Sequence, residues 1–443
     1  MLFASIADYK ELDVIPSGVD GVEVRLDLFP HLKDLATLKS SHPLLFTVRR
    51  GFFKGTEEQR EALIRYVFTL KPDFIDLEYD MDPEFLAWAF TQNIPIILSY
   101  HNFEQTPSNL SGILESMRQY PAYLYKVATF AKSTNDALRL LCFGKLNAAN
   151  TNLSVISMGE RGAFTRPLGP VIGNQIDYGF VKTPTAPGQM SIHELLNVYR
   201  YKQLNTQTGL FGLIGNPVSQ SQGHLFHNHV FQEKELNAVY VKMIVEPAEL
   251  DLFFKLAKSV GFKGLSVTMP LKEKVIPALG AINTILLEDC MTGFNFDGGA
   301  AVDCLGDVRN KQIVILGAGG SAQSIAEEAL HRGANVLILN RTKEKALQLS
   351  KKLRCQSGGL DMVPSRYDIL INCTPSLMPI AASSILKDSI VMDIVYVPAQ
   401  THFLKTAASR GAKTISGKAM FLNQAIAQSE LWSSSLEGKA LVC

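Results

Sequence analysis

Residues 311–322 read KQIVILGAGGSA, and this stretch determines the fold expected for the last third of the chain. It predicts a buried strand, a glycine turn and the start of a helix. Gly317 permits the tight turn, Gly319 lets a phosphate group approach the backbone, and Ala322 lets the helix pack close to the strand. The N–H groups at the helix N-terminus favour the negative charge of a pyrophosphate. We therefore expect a dinucleotide-binding Rossmann domain; the alternative is a flavodoxin-like loop that binds another ligand.

The residues after the next strand, 335–339, indicate which dinucleotide is bound. That strand ends in Asn340-Arg341-Thr342 and not in Asp or Glu. A carboxylate at this point would bind a ribose 2′-hydroxyl, whereas a guanidinium group favours a 2′-phosphate. We therefore expect NADP as the cofactor.

Composition excludes several classes of function. The chain has 443 residues, 47% of them hydrophobic and 19% charged, and a net charge of +1 without any run of Lys and Arg. Nucleic acid and anionic membranes are therefore not expected as partners. No apolar run approaches the ~18 residues of a membrane span, and the charged N-terminus does not resemble a signal peptide. The six cysteines are scattered without a CxxC pair, which predicts reduced thiols, a cytoplasmic protein and no metal site.

The first half of the chain repeats one pattern, a short apolar strand followed by a helical stretch. Eight such strands are predicted, at 2–7, 21–28, 44–49, 74–79, 94–101, 123–130, 153–158 and 176–181. Eight strand–helix units predict a closed (β/α)8 barrel, in which catalytic residues lie at the C-terminal ends of the strands.

The polar stretch 201–209 separates this half from a second series of strands and helices. The predicted class is α/β, an N-terminal (β/α)8 barrel followed by a two-domain α/β dehydrogenase with a Rossmann NADP-binding domain. The expected domains are 1–203, 210–300 completed by the C-terminal helix 418–443, and 301–417. The sequence does not indicate an oligomeric state.

Lys126 lies inside an apolar strand, where an ammonium group is costly unless it is paired or neutral. A desolvated neutral amine attacks carbonyl groups, so a Schiff base is one use of this residue. An ion pair with a carboxylate at the rim is the alternative. His101, on the preceding strand, is a candidate general acid and base, although a histidine at a strand end is more often structural. Arg25, Arg49 and Arg166 are candidates to bind a carboxylate.

The motifs of residues 1–200 follow one another in the order found in a known family. They are Glu23-Val24-Arg25-Leu26-Asp27, Phe46-Thr47-Val48-Arg49, Ser99-Tyr100-His101-Asn102-Phe103, Tyr125-Lys126-Val127-Ala128, Met158-Gly159-Glu160-Arg161-Gly162, Arg166 and Ala186-Pro187-Gly188-Gln189. This half resembles type I 3-dehydroquinate dehydratase.

The resemblance implies that Lys126 forms an imine with the C3 ketone of 3-dehydroquinate and that His101 moves the protons. It further implies that Arg166 binds the carboxylate, that Gln189 contacts the substrate, and that Glu23, Arg25 and Arg49 hold ring hydroxyls. Thr185 stands where the family often has Ser and keeps the hydroxyl. Phe53 stands where the family usually has Glu, and Glu57 or Glu58 is a possible substitute.

A second group of candidate residues surrounds residues 215–300. Ser219 and Ser221 precede a helix N-terminus, where they either bind a carboxylate or simply cap the helix. Lys272 ends a strand at a turn and read alone is a solvated lysine. Three nearby histidines, His224, His227 and His229, lack the carboxylate or cysteine spacing of a metal site.

Together with the glycine turn, these residues make 210–443 similar to shikimate dehydrogenase. The motifs are the Ser219-x-Ser221 opening, Val267-Thr268-x-Pro270-x-Lys272, Ala281-x-Asn283-Thr284, Asp297-Gly298, Gly317-Ala318-Gly319-Gly320, Asn340-Arg341-Thr342, Asn372-x-Thr374-Pro375 and Gln424. The resemblance implies Lys272 and Asp297 as the catalytic pair and Ser219 and Ser221 as carboxylate ligands. It implies ring-hydroxyl contacts from Thr268, Asn283, Tyr396 and Gln424. The implied NADP contacts are Gly317, Ala318, Gly319, Gly320, Ser321, Ala322, Asn340, Arg341, Thr342, Thr374 and Gly417.

The product implied for the first half is the substrate implied for the second. We therefore expect a bifunctional shikimate-pathway enzyme that dehydrates 3-dehydroquinate and then reduces 3-dehydroshikimate to shikimate with NADPH. Its partners would be these small molecules. Two alternatives remain at this point: a quinate/shikimate-type reductase fused to an aldolase-like barrel, and a non-catalytic sensor of pathway intermediates.

Overall fold

The computed structural model describes residues 1–29, 35, 38, 40–288 and 290–438. The chain forms two compact units. Unit 1 comprises Met1–Gly212 and Asn228–Phe262, and unit 2 comprises Leu213–His227 and Lys263–Cys443. Residues 439–443 of the expected last helix lie outside the described residues.

Unit 1 contains a sheet of eight strands in the order β7-β6-β5-β4-β3-β2-β1-β8. The strands are β1 (Leu2–Ile6), β2 (Gly21–Arg25), β3 (Leu44–Thr47), β4 (Phe74–Glu78), β5 (Ile96–Asn102), β6 (Leu124–Phe130), β7 (Leu153–Met158) and β8 (Asp177–Phe180). The helices are α1 (Glu57–Thr69), α2 (Pro83–Phe90), α3 (Leu110–Met117), α4 (Thr134–Asn147), α5 (Gly169–Ile172) and α6 (Ile192–Asn197). The predicted barrel is confirmed.

The barrel differs from the prediction in its strand ends and in its closure; β2, for example, ends at Arg25 and not at Leu28. Strand β3 ends at Thr47 and not at Arg49, because the chain turns there and Phe53 N donates to Arg49 O at 3.0 Å. The barrel is nearly closed rather than continuous, because β7 and β8 are the two ends of the sheet. Asn174 lies between these ends and bonds Val155 through both amide atoms, accepting from its N–H at 2.9 Å and donating to its carbonyl at 3.0 Å.

The barrel interior begins as an apolar core and becomes polar towards the C-terminal ends of the strands. Alternate residues of a strand point to the same side, and the buried core includes Phe3, Leu45, Ile97, Leu124 and Tyr178. Further along the strands the buried residues are charged, so the open end of the barrel is where a polar ligand can be bound.

Several elements follow the barrel, and two of them, residues 209–215 and 223–233, are divided between units 1 and 2. A 3-10 helix, Tyr201–Gln203, occupies the start of the expected linker. Strand β9 (Gly209–Gly215) neighbours β10 (Ala238–Ile244). Between them in sequence is α7 (Gly223–Glu233), and after β10 comes α8 (Leu250–Val260), which buries Phe253, Ala257 and Val260.

Unit 2 contains three antiparallel strands, β11 (Phe262–Val267), β12 (Thr284–Leu287) and β13 (Met291–Phe294). It also contains a parallel sheet in the order β16-β15-β14-β17-β18-β19. Those strands are β14 (Gln312–Leu316), β15 (Asn335–Leu339), β16 (Gln356–Gly358), β17 (Ile369–Asn372), β18 (Ile390–Asp393) and β19 (Lys413–Ser416). The helices are α9 (Asp297–Leu305), α10 (Gly320–His331), α11 (Lys343–Leu353), α12 (His402–Ser409) and α13 (Gly417–Leu436).

The parallel sheet is buried on both faces, as its unbroken apolar strands predict. Ile313 and Ile315 face one buried cluster, and Val314 and Leu316 face the other. Because β14 pairs with both β15 and β17, the strand order reverses at β14, and a ligand crevice forms at its C-terminal end. The predicted Rossmann domain is confirmed.

The last helix packs on the antiparallel strands, as expected. The side chain of Gln428, in this helix, donates to Thr284 Oγ1 at 2.7 Å and accepts from Ser266 Oγ at 3.0 Å. In the described part of the chain, none of the helices has both the length and the apolar character needed to cross a membrane.

Candidate active sites

Lys126 lies in the middle of β6, which pairs with β5 and β7 so that Lys126 is level with Ser99 and Ser154. The residue is 3% exposed. Its Nζ forms an ion pair with Asp76, lies 4.0 Å from Glu23 Oε1 and 4.5 Å from the centre of the Tyr178 ring. The ion pair considered as an alternative for Lys126 is therefore present. It does not exclude an imine, because the amine also lines an open cavity.

Asp76 is the centre of a buried network that the sequence reading missed. Its Oδ1 accepts hydrogen bonds from Arg49 Nη2 at 2.9 Å and from Ser99 Oγ at 2.6 Å. Burial opposes ionisation of this carboxyl, but Arg49 and Lys126 outweigh that effect and hold the pKa of Asp76 below its usual range. Asp76 and Glu78 alternate on β4, and this period-2 acidic pair in a strand was the signal that could have identified them.

His101 lies in β5, where it is level with Ala128 of the neighbouring strand β6. Burial and the nearby charges of Arg49 and Lys126 lower the pKa of His101 well below its usual value, which favours the neutral imidazole. Its Nδ1 is buried and has no hydrogen-bond partner among the described residues. A neutral ring with an unused nitrogen can take a proton from a ligand in the cavity.

Arg166 is a buried cation that lines the same cavity. It lies in the 3-10 helix Glu160–Leu168, donates from Nη2 to Pro187 O at 3.3 Å, and keeps Nε without a partner in the described structure. Burial lowers the pKa of Arg166 to about 10, although Asp177 and Glu23 act against the shift. A buried guanidinium group with a free donor is suited to bind a ligand carboxylate.

Thr185, Gln189 and Glu23 form a connected wall. Gln189 Oε1 accepts from the Thr185 N–H at 2.7 Å and from its hydroxyl at 2.9 Å, and Gln189 Nε2 donates to Ser5 Oγ at 3.1 Å. Ser5 in turn donates to Glu23 at 2.6 Å. The wall presents oxygen and nitrogen atoms in fixed positions to the cavity.

The predicted residues of the first half line one cavity with several apolar neighbours. The cavity is lined by Glu23, Arg25, Arg49, Phe52, His101, Phe103, Lys126, Ala128, Ile156, Met158, Arg166, Tyr178, Thr185, Ala186 and Gln189. Phe53 and the two glutamates suggested as substitutes are not among them. Glu57 is bonded to Arg60 at 3.0 Å, and Glu58 is exposed at the start of α1.

Lys272 and Asp297 form an ion pair in unit 2. Burial opposes ionisation of Asp297, but Lys272 and hydrogen bonds from Asn283 and Ser321 lower its pKa. Asp297 is also the first residue of α9, where the helix dipole favours a carboxylate. Ser321, expected only as a cofactor contact, accepts from Lys272 Nζ at 3.3 Å and donates to Asp297 Oδ2 at 3.2 Å.

Asn283 connects this pair to the last helix. Its Nδ2 donates to Asp297 Oδ1 at 2.8 Å and to Gln424 Oε1 at 3.1 Å. Gln428, one turn after Gln424, donates to Asn283 O at 3.2 Å. Sequence reasoning missed Gln428, which a polar residue one turn from a predicted contact could have indicated.

The remaining predicted ligand residues of unit 2 lie near the start of α7 and the end of β11. Ser221 Oγ accepts from Gly223 N at 3.2 Å, so it caps the helix as the alternative had it, and it also bonds the Tyr396 hydroxyl. The Tyr396 ring stacks on Phe421 at 5.1 Å. Ser219 is exposed, and Thr268 is partly exposed, with its N–H bonded to Ile214 O at 2.9 Å.

The glycine turn fits a dinucleotide. Gly317 has φ +117°, which side chains rarely adopt, and a Cβ there would lie 3.0 Å from Cys373 O. A Cβ on Gly319 would meet no atom within 4 Å, so this side of the turn is open to a ligand. No side chain caps the N-terminus of α10, which leaves its N–H groups to a phosphate.

The other predicted cofactor residues surround the same crevice at the C-terminal strand ends. Arg341 is exposed just after β15, and Asn340 Nδ2 donates to Thr342 O at 2.9 Å. Thr374 donates to Asn372 Oδ1 at 2.7 Å after β17. Gly417 begins α13 where a Cβ would lie 2.3 Å from Ile394 O. Among the described residues, no group of three or more His, Cys, Asp or Glu side chains could hold a metal ion.

The chain resembles known proteins over most of its length. Residues 6–206 match type I 3-dehydroquinase, residues 213–285 match the shikimate dehydrogenase substrate binding domain, and residues 300–395 match shikimate / quinate 5-dehydrogenase.

Curated relatives combine the same two parts. The chain is 31% identical to the chloroplastic bifunctional 3-dehydroquinate dehydratase/shikimate dehydrogenase of Arabidopsis thaliana, covering 94% of this chain and 78% of that protein. It is 33% identical to the shikimate biosynthesis protein AroDE of Chlamydia pneumoniae, covering 94% and 90%. Among solved structures, shikimate dehydrogenase from Aquifex aeolicus is 32% identical with a TM-score of 0.50, covering 53% of this chain and 98% of that one.

Proposed function

The chain belongs to the family of bifunctional 3-dehydroquinate dehydratase/shikimate dehydrogenases, and from this premise we propose how its residues perform the two reactions. The enzyme dehydrates 3-dehydroquinate to 3-dehydroshikimate and reduces 3-dehydroshikimate to shikimate. The assignment of each step to a residue below is our proposal.

The dehydration starts at Lys126. Its amine attacks the C3 ketone of 3-dehydroquinate and, with loss of water, forms an imine. Before attack the ammonium group gives up a proton, which the neutral His101 on the neighbouring strand accepts. His101 then returns this proton to the departing hydroxyl of the carbinolamine, so that water leaves and the imidazole is neutral again. When the imine nitrogen is protonated, its positive charge takes the place of the ammonium charge beside Asp76, so the ion pair persists through the reaction.

The elimination depends on His101. The protonated imine acidifies the C2 proton, and His101 removes it as general base. The same residue then protonates the departing C1 hydroxyl, which leaves as water. Hydrolysis of the imine releases 3-dehydroshikimate and restores Lys126. The low pKa of His101 supports this role, because the imidazole is neutral when the C2 proton must be taken.

The substrate is held by further residues that line the cavity. Arg166 binds the carboxylate through its free donor, and Gln189 and Thr185 contact the ring. Glu23 and Arg25 contact ring hydroxyls. Arg49 has a different role. Its guanidinium group donates to Asp76 and Ser99, and it thereby orients the Asp76 carboxylate that pairs with Lys126.

The reduction is carried out at Lys272 and Asp297. Lys272 donates a proton to the carbonyl oxygen of 3-dehydroshikimate, and Asp297 holds the ammonium group in position. Ser219 and Ser221 bind the carboxylate, and Thr268, Asn283, Tyr396 and Gln424 contact the ring hydroxyls. Asn283 supports this arrangement, since its amide links Asp297 to Gln424.

NADPH, when bound, supplies the hydride for this reduction. Residues 317–322 hold its pyrophosphate, and Arg341 binds the 2′-phosphate beside Asn340 and Thr342. Thr374 and Gly417 would be further contacts of the bound cofactor. Several relatives carry the name shikimate dehydrogenase (NADP(+)), among them one from Methanocaldococcus jannaschii that is 37% identical over 52% of this chain.

We further propose three domains, 1–203, 210–300 completed by the helix 418–443, and 301–417, of which residues 439–443 lie outside the described structure. The proposed compartment is the cytoplasm, and it is supported by thiols that are free at all five described cysteines.

The observation that carries the proposal is that Lys126, His101 and Arg166 line one cavity in which His101 and Arg166 each keep an unused nitrogen. A two-substrate assay tests it. Lys126→Met should abolish NADPH oxidation that starts from 3-dehydroquinate. It should leave NADPH oxidation that starts from 3-dehydroshikimate unchanged. Lys272→Met should abolish NADPH oxidation from both substrates, and this variant should still release 3-dehydroshikimate from 3-dehydroquinate. If Lys126→Met retained full activity from 3-dehydroquinate, the assignment of the first reaction to Lys126 would be wrong.

A further inference from the structure

Glu249 connects two segments at the catalytic end of the barrel. One oxygen of its carboxylate accepts from Thr134 N at 2.9 Å, and the other accepts from Arg161 Nη1 at 3.0 Å. Thr134 begins α4, directly after β6, and Arg161 lies in the 3-10 helix Glu160–Leu168, directly after β7. All three residues belong to unit 1.

Both connected segments belong to the proposed dehydratase site. Strand β6 carries Lys126, and the 3-10 helix carries Arg166 five residues after Arg161. In parallel barrels the segments that follow the strands hold the catalytic residues in place. Glu249 itself lies outside the matched range 6–206 of the dehydratase and inside the matched range 213–285.

A further ion pair and further hydrogen bonds strengthen this connection. Arg161 also pairs with Glu246 at 3.3 Å and donates to Ile244 O at 3.3 Å. Asn135 Nδ2 donates to Glu249 O at 3.1 Å, and the Thr134 hydroxyl bonds Ile244 O. The Glu249 side chain is 11% exposed. A charge pair this shielded is weakened less by solvent and salt than a surface pair.

The 3-10 helix Glu160–Leu168 contacts the loop that carries Gln189. The helix begins after Gly159, whose N–H donates to Pro187 O at 3.2 Å, and a Cβ on Gly188 would lie 2.3 Å from Gly159 O. Arg166 Nη2 donates to the same Pro187 O at 3.3 Å. A shift at Arg161 therefore displaces Arg166 and the loop that carries Gln189 together.

We propose that Glu249 is a positioning residue of the dehydratase, supplied by the dehydrogenase part of the sequence, which acts through Arg161 on Arg166 and through Thr134 on the segment after Lys126. The inference rests on the roles proposed above for Lys126 and Arg166. It makes the first reaction dependent on a residue that a barrel of residues 1–206 lacks.

Substitution of Glu249 in the full-length enzyme tests the proposal. Glu249→Gln removes the charge that holds Arg161 and keeps an oxygen for Thr134 N. We expect the KM for 3-dehydroquinate to rise about tenfold with a smaller change in kcat, because misplacement of a group that binds the carboxylate mainly weakens substrate binding. Arg161→Met should have the same effect, and the double variant should be no worse than either single variant. Glu249→Asp should recover part of the loss.

Asp251→Asn is the matched control, since it removes an exposed carboxylate from the first turn of α8, two residues away. It should leave the KM for 3-dehydroquinate and the KM for shikimate unchanged. The KM of the dehydrogenase for shikimate should be unchanged in every variant. A KM for 3-dehydroquinate within twofold of the wild type in both Glu249→Gln and Arg161→Met would overturn the inference. If those variants were unchanged but still formed an imine on Lys126, only this inference would fail; absence of the imine in the wild type would instead contradict the proposed function.

Discussion

The ammonium group of Lys126 and the carboxylate of Asp76 form a buried ion pair, and Arg49 donates to the same carboxylate at 2.9 Å. Asp76 thus pairs with two buried cations, each of which has a second carboxylate nearby: Glu23 Oε1 lies 4.0 Å from Lys126 Nζ, and Glu78 Oε1 lies 3.5 Å from Arg49 Nη1. This relationship explains how a lysine can lie among apolar residues in β6, and it places the reactive amine in a fixed position at the bottom of the cavity.

Replacing Asp76 by Asn leaves Lys126 and Arg49 facing one another without that charge. We expect a loss of about 3 kcal/mol in the free energy of unfolding, because two buried cations lose a carboxylate that both of them pair with. Urea unfolding of the full-length protein measures it. Asp80→Asn, which removes an exposed carboxylate paired with Arg50 at 3.2 Å, is the control and should cost less than ~1 kcal/mol.

The same pair gives the enzyme an acid sensitivity. Because the pKa of Asp76 in the folded protein is held below the ordinary value of about 3.9, its contribution to stability is present above that pH and is lost as the pH falls towards the folded pKa. The stability of the wild type should therefore decline more steeply below about pH 4 than that of Asp76→Asn. Equal slopes would show that Asp76 is not ionised through its pair with Lys126.

His101 should titrate in the acidic range. Burial and the charges of Arg49 and Lys126 lower its pKa, so the imidazole should remain neutral at pH values well below about 6.5. NMR of the histidine ring protons against pH measures this directly, with His101→Gln to identify the resonance. A His101 resonance that titrates at or above 6.5 would contradict its role as a neutral base.

Ser321 links the glycine turn to the catalytic pair of the dehydrogenase. Its hydroxyl bonds both Lys272 and Asp297, so Ser321→Ala should reduce the kcat of shikimate formation about tenfold, because a hydrogen bond to a charged group contributes about 1.5–3 kcal/mol. The dehydratase kcat serves as an internal control, and Glu327→Gln, on the exposed face of α10, as a matched variant. A fall in kcat of the same size in Glu327→Gln would remove the special role of Ser321.

Arg341 should determine the choice of dinucleotide. Because a charged hydrogen bond contributes about 1.5–3 kcal/mol, Arg341→Ser should raise the KM for NADPH at least about tenfold. The KM for NADH should change little. Lys345→Ser removes another exposed cation from α11 and controls for general charge effects. Equal losses with both nucleotides would show that Arg341 does not bind the 2′-phosphate.

Much of this architecture could be predicted because apolar periodicity determines strands and helices locally. The strand, turn and helix around Gly317 follow from three small residues and an apolar run, and the eight barrel strands follow from their spacing. The end of β3 could not be predicted in this way. Arg49 continues the pattern of its strand, and only the turn that bonds Phe53 N to Arg49 O ends it.

The catalytic candidates could be predicted where a residue type contradicts its surroundings, as Lys126 does in an apolar strand. Asp76 contradicts its strand equally, but its significance depends on its pairing with Arg49, two residues after the end of β3, and with Lys126, two strands away on β6. Those contacts are a property of the nearly closed sheet. The Glu249 connection could not be predicted at all. Its partners lie 115 and 88 residues away in sequence, and only the tertiary packing of unit 1 brings them together.

The central claim of the account is that Lys126 forms a covalent imine with the substrate of the first reaction. The most direct measurement is to treat the full-length enzyme with 3-dehydroquinate and sodium borohydride, digest it, and locate the added mass by mass spectrometry. We predict a reduced adduct on the peptide that contains Lys126, and none in Lys126→Met. The absence of an adduct in the wild type, or an adduct only on another lysine such as Lys272, would contradict the account.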